Sequence, residues 1–253
     1  MNNAWAVVTG ASSGLGVAYA ERIASEGVSV LLVARREDKL LEVGADLRSR
    51  FGVETEVVAA DLTTTEGVDR VIAAMGGREL AYLVNNAGFG TLGPFTEADE
   101  QRITDELTLN ALTLTRLTRA ATASMVTRGR GAVINVASTA AFQPIPMMAV
   151  YAASKAYVLR LSIALWEELK PTGVRVIAIC PGPTETEFFA NAGNADVMAN
   201  RRLPAHVVES TFKGLQQHRP YVVDGAKNAL LAFATRLAPT ALQAKLSRHI
   251  ATH

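Results

Sequence analysis

Trp5-Ala6-Val7-Val8-Thr9-Gly10-Ala11-Ser12-Ser13-Gly14-Leu15-Gly16 is the stretch that decides how this chain folds. Trp5 to Thr9 reads as a short buried strand. Gly10 to Gly16 is a glycine-rich turn, and a helical pattern then runs through Ile23 to Glu26. Strand, glycine turn and helix in that order make a site for phosphate groups. The glycines allow a tight backbone and close approach, and the helix N-terminus offers free N–H groups and the positive end of its dipole. Val28 to Ala34 reads as a second buried strand, which closes a first βαβ unit.

The same alternation continues along the chain. A charged helix is predicted from about Glu37 to Arg50, and Val53 to Ala60 forms a strand ending at Asp61. Another helix runs to about Met75. Leu80 to Val84 is the next strand and runs into Asn85-Asn86-Ala87-Gly88. One long helical region spans about Glu97 to Val126 and contains Asn110. A strand from Ala132 to Ala137 ends at Ser138, and a helix follows from about Ala149 to Leu169. Val174 to Cys180 is a sixth strand, ending at Pro181-Gly182, and Tyr221 to Val223 is the last. Alternating strands and helices imply one α/β domain over the whole chain, a doubly wound parallel sheet with ligands at the carboxyl ends of its strands. The glycine turn, Asp61, Asn86, Ser138 and Pro181 all follow strands, so they gather on one edge.

Composition narrows the function. Over 253 residues, 49% are hydrophobic and 19% charged, enough for a sizeable core and too apolar for disorder. A net charge of +1 leaves no footprint for nucleic acid. One cysteine, Cys180, rules out an internal disulfide and a multi-cysteine metal site, and reads as a buried thiol at a strand end. His206, His218, His249 and His253 show no zinc spacing, so no metal is expected. The N-terminus enters a strand at once and no apolar run approaches membrane-spanning length, so a cytoplasmic protein is expected.

Tyr151 and Lys155 stand one turn apart on one face of their helix. A lysine ammonium beside a phenol favours the phenolate and draws its pKa towards the working range. Ser138, brought in from a strand end, could then orient a carbonyl or alcohol oxygen. Such an acid–base site needs a hydride carrier, which the glycine turn would hold.

Taken together, Thr9-Gly10-x-x-x-Gly14-x-Gly16, Asn85-Asn86-Ala87-Gly88, Asn110, Ser138, Tyr151-x-x-x-Lys155 and Pro181-Gly182-x-x-x-Thr186 resemble the short-chain dehydrogenase/reductase family, across about residues 4 to 225. The resemblance implies a Rossmann fold with a C-terminal helical extension. It implies that Tyr151 is the acid in reduction and the base in oxidation, and that Lys155 lowers its pKa and holds the nicotinamide ribose. Ser138 would orient the substrate oxygen, and Asn110 would anchor a water for proton relay. Asp61 would meet the adenine, with Leu62 beside it. Asn86, Ala87 and Gly88 would line the nicotinamide side, Thr186 would hold the carboxamide, and Leu15, Pro181 and Gly182 would add cofactor contacts. Thr184 stands where the family often has a branched aliphatic residue, so a backbone contact is implied there. The helices of Asn110 and Tyr151 would pack on a second subunit, giving a homodimer or homotetramer.

The end of the second strand bears on the choice of cofactor. Ala34-Arg35-Arg36 places guanidinium donors where an acidic residue would accept from a free ribose 2′-hydroxyl. This favours NADP(H) over NAD(H), with Arg35 as first choice and Ser12 or Ser13 assisting. Arg36 reads equally well as a solvated residue opening the next helix, paired with Glu37 or Asp38. Two other readings compete: a non-catalytic dinucleotide sensor of the same fold, and a serine hydrolase. For the hydrolase, Gly10-Ala11-Ser12-Ser13-Gly14 would be a nucleophile elbow, with Asp196 and His206 following.

The substrate pocket is expected from Phe89 to Phe95, Thr139 to Met148 and the stretch after Pro181. Phe89, Phe142, Met147, Met148, Phe188 and Phe189 are its candidate lining, with residues 186–203 as a lid. A hydrophobic ketone, aldehyde or 3-oxoacyl chain would suit it. Arg201-Arg202 reads as a solvated pair. Residues 226–253 form a helical tail, with Ala229 to Ala234 and Leu237 before Pro239 and Leu242, Leu246 and Ile250 after it. Its apolar face is expected to pack on the body or a partner subunit; the rival reading is peripheral membrane contact, helped by Arg236, Lys245 and Arg248.

Overall fold

The computed structural model describes residues 4–188, 192, 201–235 and 238–252. Its core is a seven-stranded parallel sheet in the order β3-β2-β1-β4-β5-β6-β7. The strands are β1 (Ala4–Thr9), β2 (Ser29–Ala34), β3 (Thr55–Ala59), β4 (Glu79–Asn85), β5 (Gly131–Val136), β6 (Val174–Cys180) and β7 (Tyr221–Val223). The helices are α1 (Gly14–Ala24), α2 (Glu37–Phe51), α3 (Thr65–Met75), α4 (Glu100–Leu107), α5 (Leu114–Arg128), α6 (Ala149–Leu169), α7 (Pro204–Gln216), α8 (Ala226–Ala234) and α9 (Thr240–Thr252). The strand order reverses between β1 and β4, and there the crevice for a ligand opens.

Both faces of the sheet are covered, which is why its strands are apolar throughout. Val8, Leu32, Ile134 and Ile177 turn to one side, against Tyr19, Leu47 and Phe212 of α1, α2 and α7. Val7, Leu31, Val133 and Val176 turn to the other, against Val71, Leu117 and Met125 of α3 and α5. The alternation within each strand follows its two-residue period.

Local chemistry sets the helix ends. Thr64 caps α3 by accepting from Gly67 N at 3.1 Å, and Asp99 caps α4 by accepting from Arg102 N at 2.7 Å. The expected long helix from Glu97 to Val126 is therefore divided. A short 3₁₀ turn over Phe95–Glu97 precedes the Asp99 cap, and the six residues Thr108–Thr113 between α4 and α5 are π-helical. A π turn widens the backbone, and here it includes the buried Asn110. Arg202, expected as solvated, is part-exposed but tied down. Its guanidinium pairs with the buried Asp224 at 2.5 Å, and Ser210 Oγ donates to the same carboxylate at 2.7 Å.

A polar chain runs through the apolar interior. Asn85 Nδ2 donates to Thr118 Oγ1 at 2.9 Å and to Asn135 Oδ1 at 2.8 Å, and Asn135 Nδ2 donates to Ser162 Oγ at 2.9 Å. All four residues are buried, so the links tie β4 to α5, β4 to β5 and β5 to α6 without water to replace them. Asn135→Ala should cost about 1–3 kcal/mol in urea denaturation, because it strands a donor of Asn85 and empties the site beside Ser162. A loss below about 0.5 kcal/mol would mean that the chain adds nothing beyond packing.

Candidate active site

The glycine turn is held against the end of β4 by polar contacts. Thr9 Oγ1 accepts from Asn86 N and Ala87 N, both at 3.0 Å, and donates to Val84 O at 3.2 Å. Asn86 Nδ2 donates to Thr9 O at 2.9 Å and to Gly10 O at 3.3 Å. Gly16 must be glycine for a steric reason: a Cβ there would overlap the Gly10 carbonyl. It thus brings α1 onto the strand end and is absent from the cleft lining, although the sequence placed it among the cofactor contacts.

A cleft of about 980 Å³ runs along the strand ends from this turn. Gly10, Ser12, Ser13, Gly14 and Leu15 line it, as do Arg35, Asp61, Leu62, Asn86, Ala87 and Gly88. Pro181, Gly182, Thr184 and Thr186 close its other side. At one end stand Ser138, Tyr151 and Lys155. Ser138 leaves β5 in extended conformation and its Oγ accepts from Ala140 N at 3.1 Å. Tyr151 and Lys155 come from the first turns of α6, and both are buried. Asn110 lies behind this group rather than in the lining. It accepts from Phe89 N at 3.2 Å and donates to Phe89 O at 2.9 Å and Ser154 Oγ at 3.1 Å.

Electrostatics at this end differ from the sequence expectation. Burial pushes the Tyr151 phenol up to about 12, while a hydrogen bond with Ser138 pulls in the opposite direction. Lys155 does not draw the phenol down here, because its ammonium donates to Val136 O at 2.8 Å and stands 5.8 Å from the Tyr151 ring centre. Burial lowers Lys155 to about 8, against the opposing field of Glu106. The Cys180 thiol, also buried, is pushed up to about 12.

The far end of the cleft is exposed and basic. Arg36, not Arg35, makes the polar contacts: its Nη2 lies 3.1 Å from Ser12 Oγ and 2.9 Å from Glu187 Oε2. It pairs across the cleft and not with Glu37 or Asp38. Arg35 acts on Asp61, whose carboxyl is held below its ordinary range first by the Thr63 amide. The two arginines and two serine hydroxyls supply the donors that a ribose phosphate needs, and the Glu187 carboxylate already occupies Arg36 as an anion would. The residues present therefore fit a phosphorylated dinucleotide. Ser12 is bonded by this arginine and not by an imidazole. His206 lies on α7 outside the cleft lining and Asp196 outside the described residues, so the hydrolase grouping is not assembled.

Phe89, Phe142, Ile145, Met148 and Phe188 line the cleft as an apolar wall, and Ile145, Met148 and Phe188 pack against the Tyr151 cluster. The rings of Tyr151 and Phe188 lie 5.2 Å apart. Met147 does not join them. It takes a left-handed conformation, φ +71°, and its carbonyl accepts from Gly93 N at 2.9 Å. Phe95, on its 3₁₀ turn, is 64% exposed. Phe189 and most of the expected lid lie outside the described residues. The tail contributes unexpectedly: Asn228, Leu231, Ala232 and Thr235 of the α8 region line the cleft. Further on, Ser247 of α9 is buried and donates to Pro144 O at 2.6 Å, bracing the loop before α6.

The family model for short chain dehydrogenases matches residues 4–196. The chain belongs to the short chain dehydrogenase family. It is 36% identical over 181 residues to very-long-chain 3-oxoacyl-CoA reductase of Bos taurus. That match covers 70% of this chain and 58% of the relative, so the chain spans under two thirds of the curated relative's length. A short-chain dehydrogenase from Sphingobium yanoikuyae in complex with NADPH superposes with a TM-score of 0.84 at 34% identity, covering 92% of this chain and 93% of the other. The bulky-bulky ketone specific alcohol dehydrogenase from Comamonas testosteroni gives 0.81 at 30% identity, covering 94% and 93%.

One charged group near the site escaped the sequence reading. Glu106 is fully buried on α4, and among the described residues neither carboxylate oxygen completes a hydrogen bond of normal geometry, although Thr91 stands beside it. Its signal was present in the spacing: Glu106, Asn110 and Thr113 all fall on the buried face. Burial raises its pKa, while Arg102 and Lys155 oppose the rise. An acid with a raised folded-state pKa costs stability once the unfolded chain ionises, at about pH 4.3 and above. Glu106→Gln should therefore match the parent below that pH and gain in thermal stability as pH rises through it. A pH-independent loss of stability in the variant would identify a paired, charged carboxylate instead.

Proposed function

We propose that the chain is an NADP(H)-dependent oxidoreductase interconverting a hydrophobic ketone or aldehyde and its alcohol, with a 3-oxoacyl chain as a candidate substrate. The observation that carries this reading is the single cleft that joins the arginine–serine donor set to the Ser138–Tyr151–Lys155 group. When bound, the reduced nicotinamide supplies a hydride. The residues of the chain orient the substrate and move the proton.

Tyr151 retains its proton at neutral pH because burial holds its pKa high, and the protonated phenol is the form that reduction requires. It donates to the carbonyl oxygen as negative charge develops there, while the Ser138 hydroxyl orients the same oxygen. Lys155, lowered to about 8, is still mostly charged at pH 7 and lines the cleft one turn from Tyr151, where it would hold the nicotinamide ribose. Asn110 holds the Phe89 backbone and Ser154, and so fixes the floor beneath Tyr151. The aromatic and methionine wall favours an apolar substrate, in keeping with the very-long-chain 3-oxoacyl-CoA and bulky ketone substrates of the similar proteins. Leu107, Leu112 and Tyr157 remain exposed on the α4–α6 region, which supports a partner subunit there.

NADPH oxidation should be followed with a panel of ketones, aldehydes and 3-oxoacyl thioesters. Tyr151→Phe should lose about 10²–10⁴-fold in turnover on any active substrate, the usual worth of general acid catalysis. Near-normal turnover by this variant would remove Tyr151 from the mechanism. Greater catalytic efficiency with NADH than with NADPH would remove the cofactor assignment.

A further inference from the structure

We infer that Glu187 is a placeholder on the 2′-phosphate site and a determinant of cofactor choice, holding the Arg36 fork until a phosphate displaces it. The inference rests on the cofactor assignment proposed above and adds a residue that competes with it. Arg36 Nη2 donates to Glu187 Oε2 at 2.9 Å and Nη1 faces Oε1 at 3.4 Å, so both carboxylate oxygens meet one guanidinium. Ser13 Oγ donates to Oε2 at 3.0 Å, and Arg36 holds Ser12 Oγ at 3.1 Å. Planar two-pronged contact is also how a guanidinium holds phosphate, so one anion excludes the other.

The elements involved are far apart in sequence. Ser12 and Ser13 belong to the glycine turn, Arg36 follows β2, and Glu187 lies beyond β6. Thr186, next to Glu187, packs directly on the turn: a Cβ added to Gly14 would stand 2.8 Å from Thr186 Cγ2. The segment carrying Glu187 is thus fixed over the phosphate turn. The ion pair itself is 45% and 51% exposed, so it holds weakly and can exchange for a doubly charged phosphate. A cofactor with a free 2′-hydroxyl brings no anion to compete, and a carboxylate can accept from that hydroxyl. Glu187 thereby shifts discrimination towards the unphosphorylated form relative to what Arg36 alone would give.

The test is calorimetric titration of the full chain at low ionic strength with adenosine 2′,5′-bisphosphate and with adenosine 5′-phosphate. Wild type, Glu187→Gln and Glu187→Ala are compared, the second variant guarding against an effect particular to the amide. Both variants should bind the bisphosphate roughly two- to fivefold more tightly than wild type, the range an exposed ion pair allows. Neither should gain affinity for the monophosphate. Unchanged or weaker bisphosphate binding by both variants overturns the placeholder role, while a wild-type preference for the bisphosphate would leave the NADP(H) assignment standing. No such preference in wild type would sink the assignment and the placeholder together.

Discussion

The van der Waals contact between Gly16 and the Gly10 carbonyl is the constraint from which the rest of the cleft follows. It sets α1 directly on the end of β1, with its first residue, Gly14, following the Ser13 cap in the turn. The sheet then places β4 beside β1, and the Thr9 hydroxyl at the end of β1 bonds the backbone at the end of β4. Asn86 completes the arrangement from the other strand. A side chain at Gly16 would push the helix away, and the crevice at the reversal of strand order would lose its floor. A sequence feature, the spacing of three glycines, thus acts through sterics on topology.

Burial governs the opposite end of the cleft. Tyr151, Lys155, Cys180 and Glu106 all lie out of water, and for each of them desolvation is the dominant influence on its proton. The direction depends on charge type: acids rise and the ammonium falls. The result is a phenol that keeps its proton beside a lysine that can part with one. Ser138 moderates the phenol from the strand side, and the Val136 carbonyl anchors the ammonium. Fixed dipoles of this kind need no reorganisation as charge develops, which is the usual basis of their catalytic value.

The sequence was most legible where a local period met an unambiguous terminator. Ala149 to Leu169 and Val174 to Cys180 were read to the residue, because Pro171 and Gly173 punctuate an amphipathic helix and a continuous apolar strand. The site residues at strand ends were legible for the same reason, since parallel topology alone gathers them. The division of Glu97 to Val126 was not, because a π turn leaves the hydrophobic pattern nearly unchanged while rotating the side chains. Contacts between distant segments were hidden as well. Nothing in the local pattern around Glu187 points to Arg36, and nothing around Ser247 points to Pro144. The division of labour between Arg35 and Arg36 was hidden on the same ground: both line the cleft, but only tertiary placement shows that Arg36 reaches Ser12 of the glycine turn.

The two ends of the cleft therefore work under different dielectric regimes. At the arginine end the Arg36–Glu187 pair is about half exposed in high-dielectric surroundings, so its contact is weak, salt-sensitive and replaceable. At the tyrosine end the groups are buried and every donor has a fixed direction, so small displacements carry large electrostatic consequences. On the proposed reading this division suits the two tasks. The cofactor's distal phosphate must arrive and leave in each cycle, which weak exchangeable contacts permit. The reacting oxygen must meet its proton donor in one geometry, which only a dry and rigid site provides. The tail serves the second requirement: by bonding Pro144 through Ser247, it braces the loop that carries Ile145 and Met148 into the cleft.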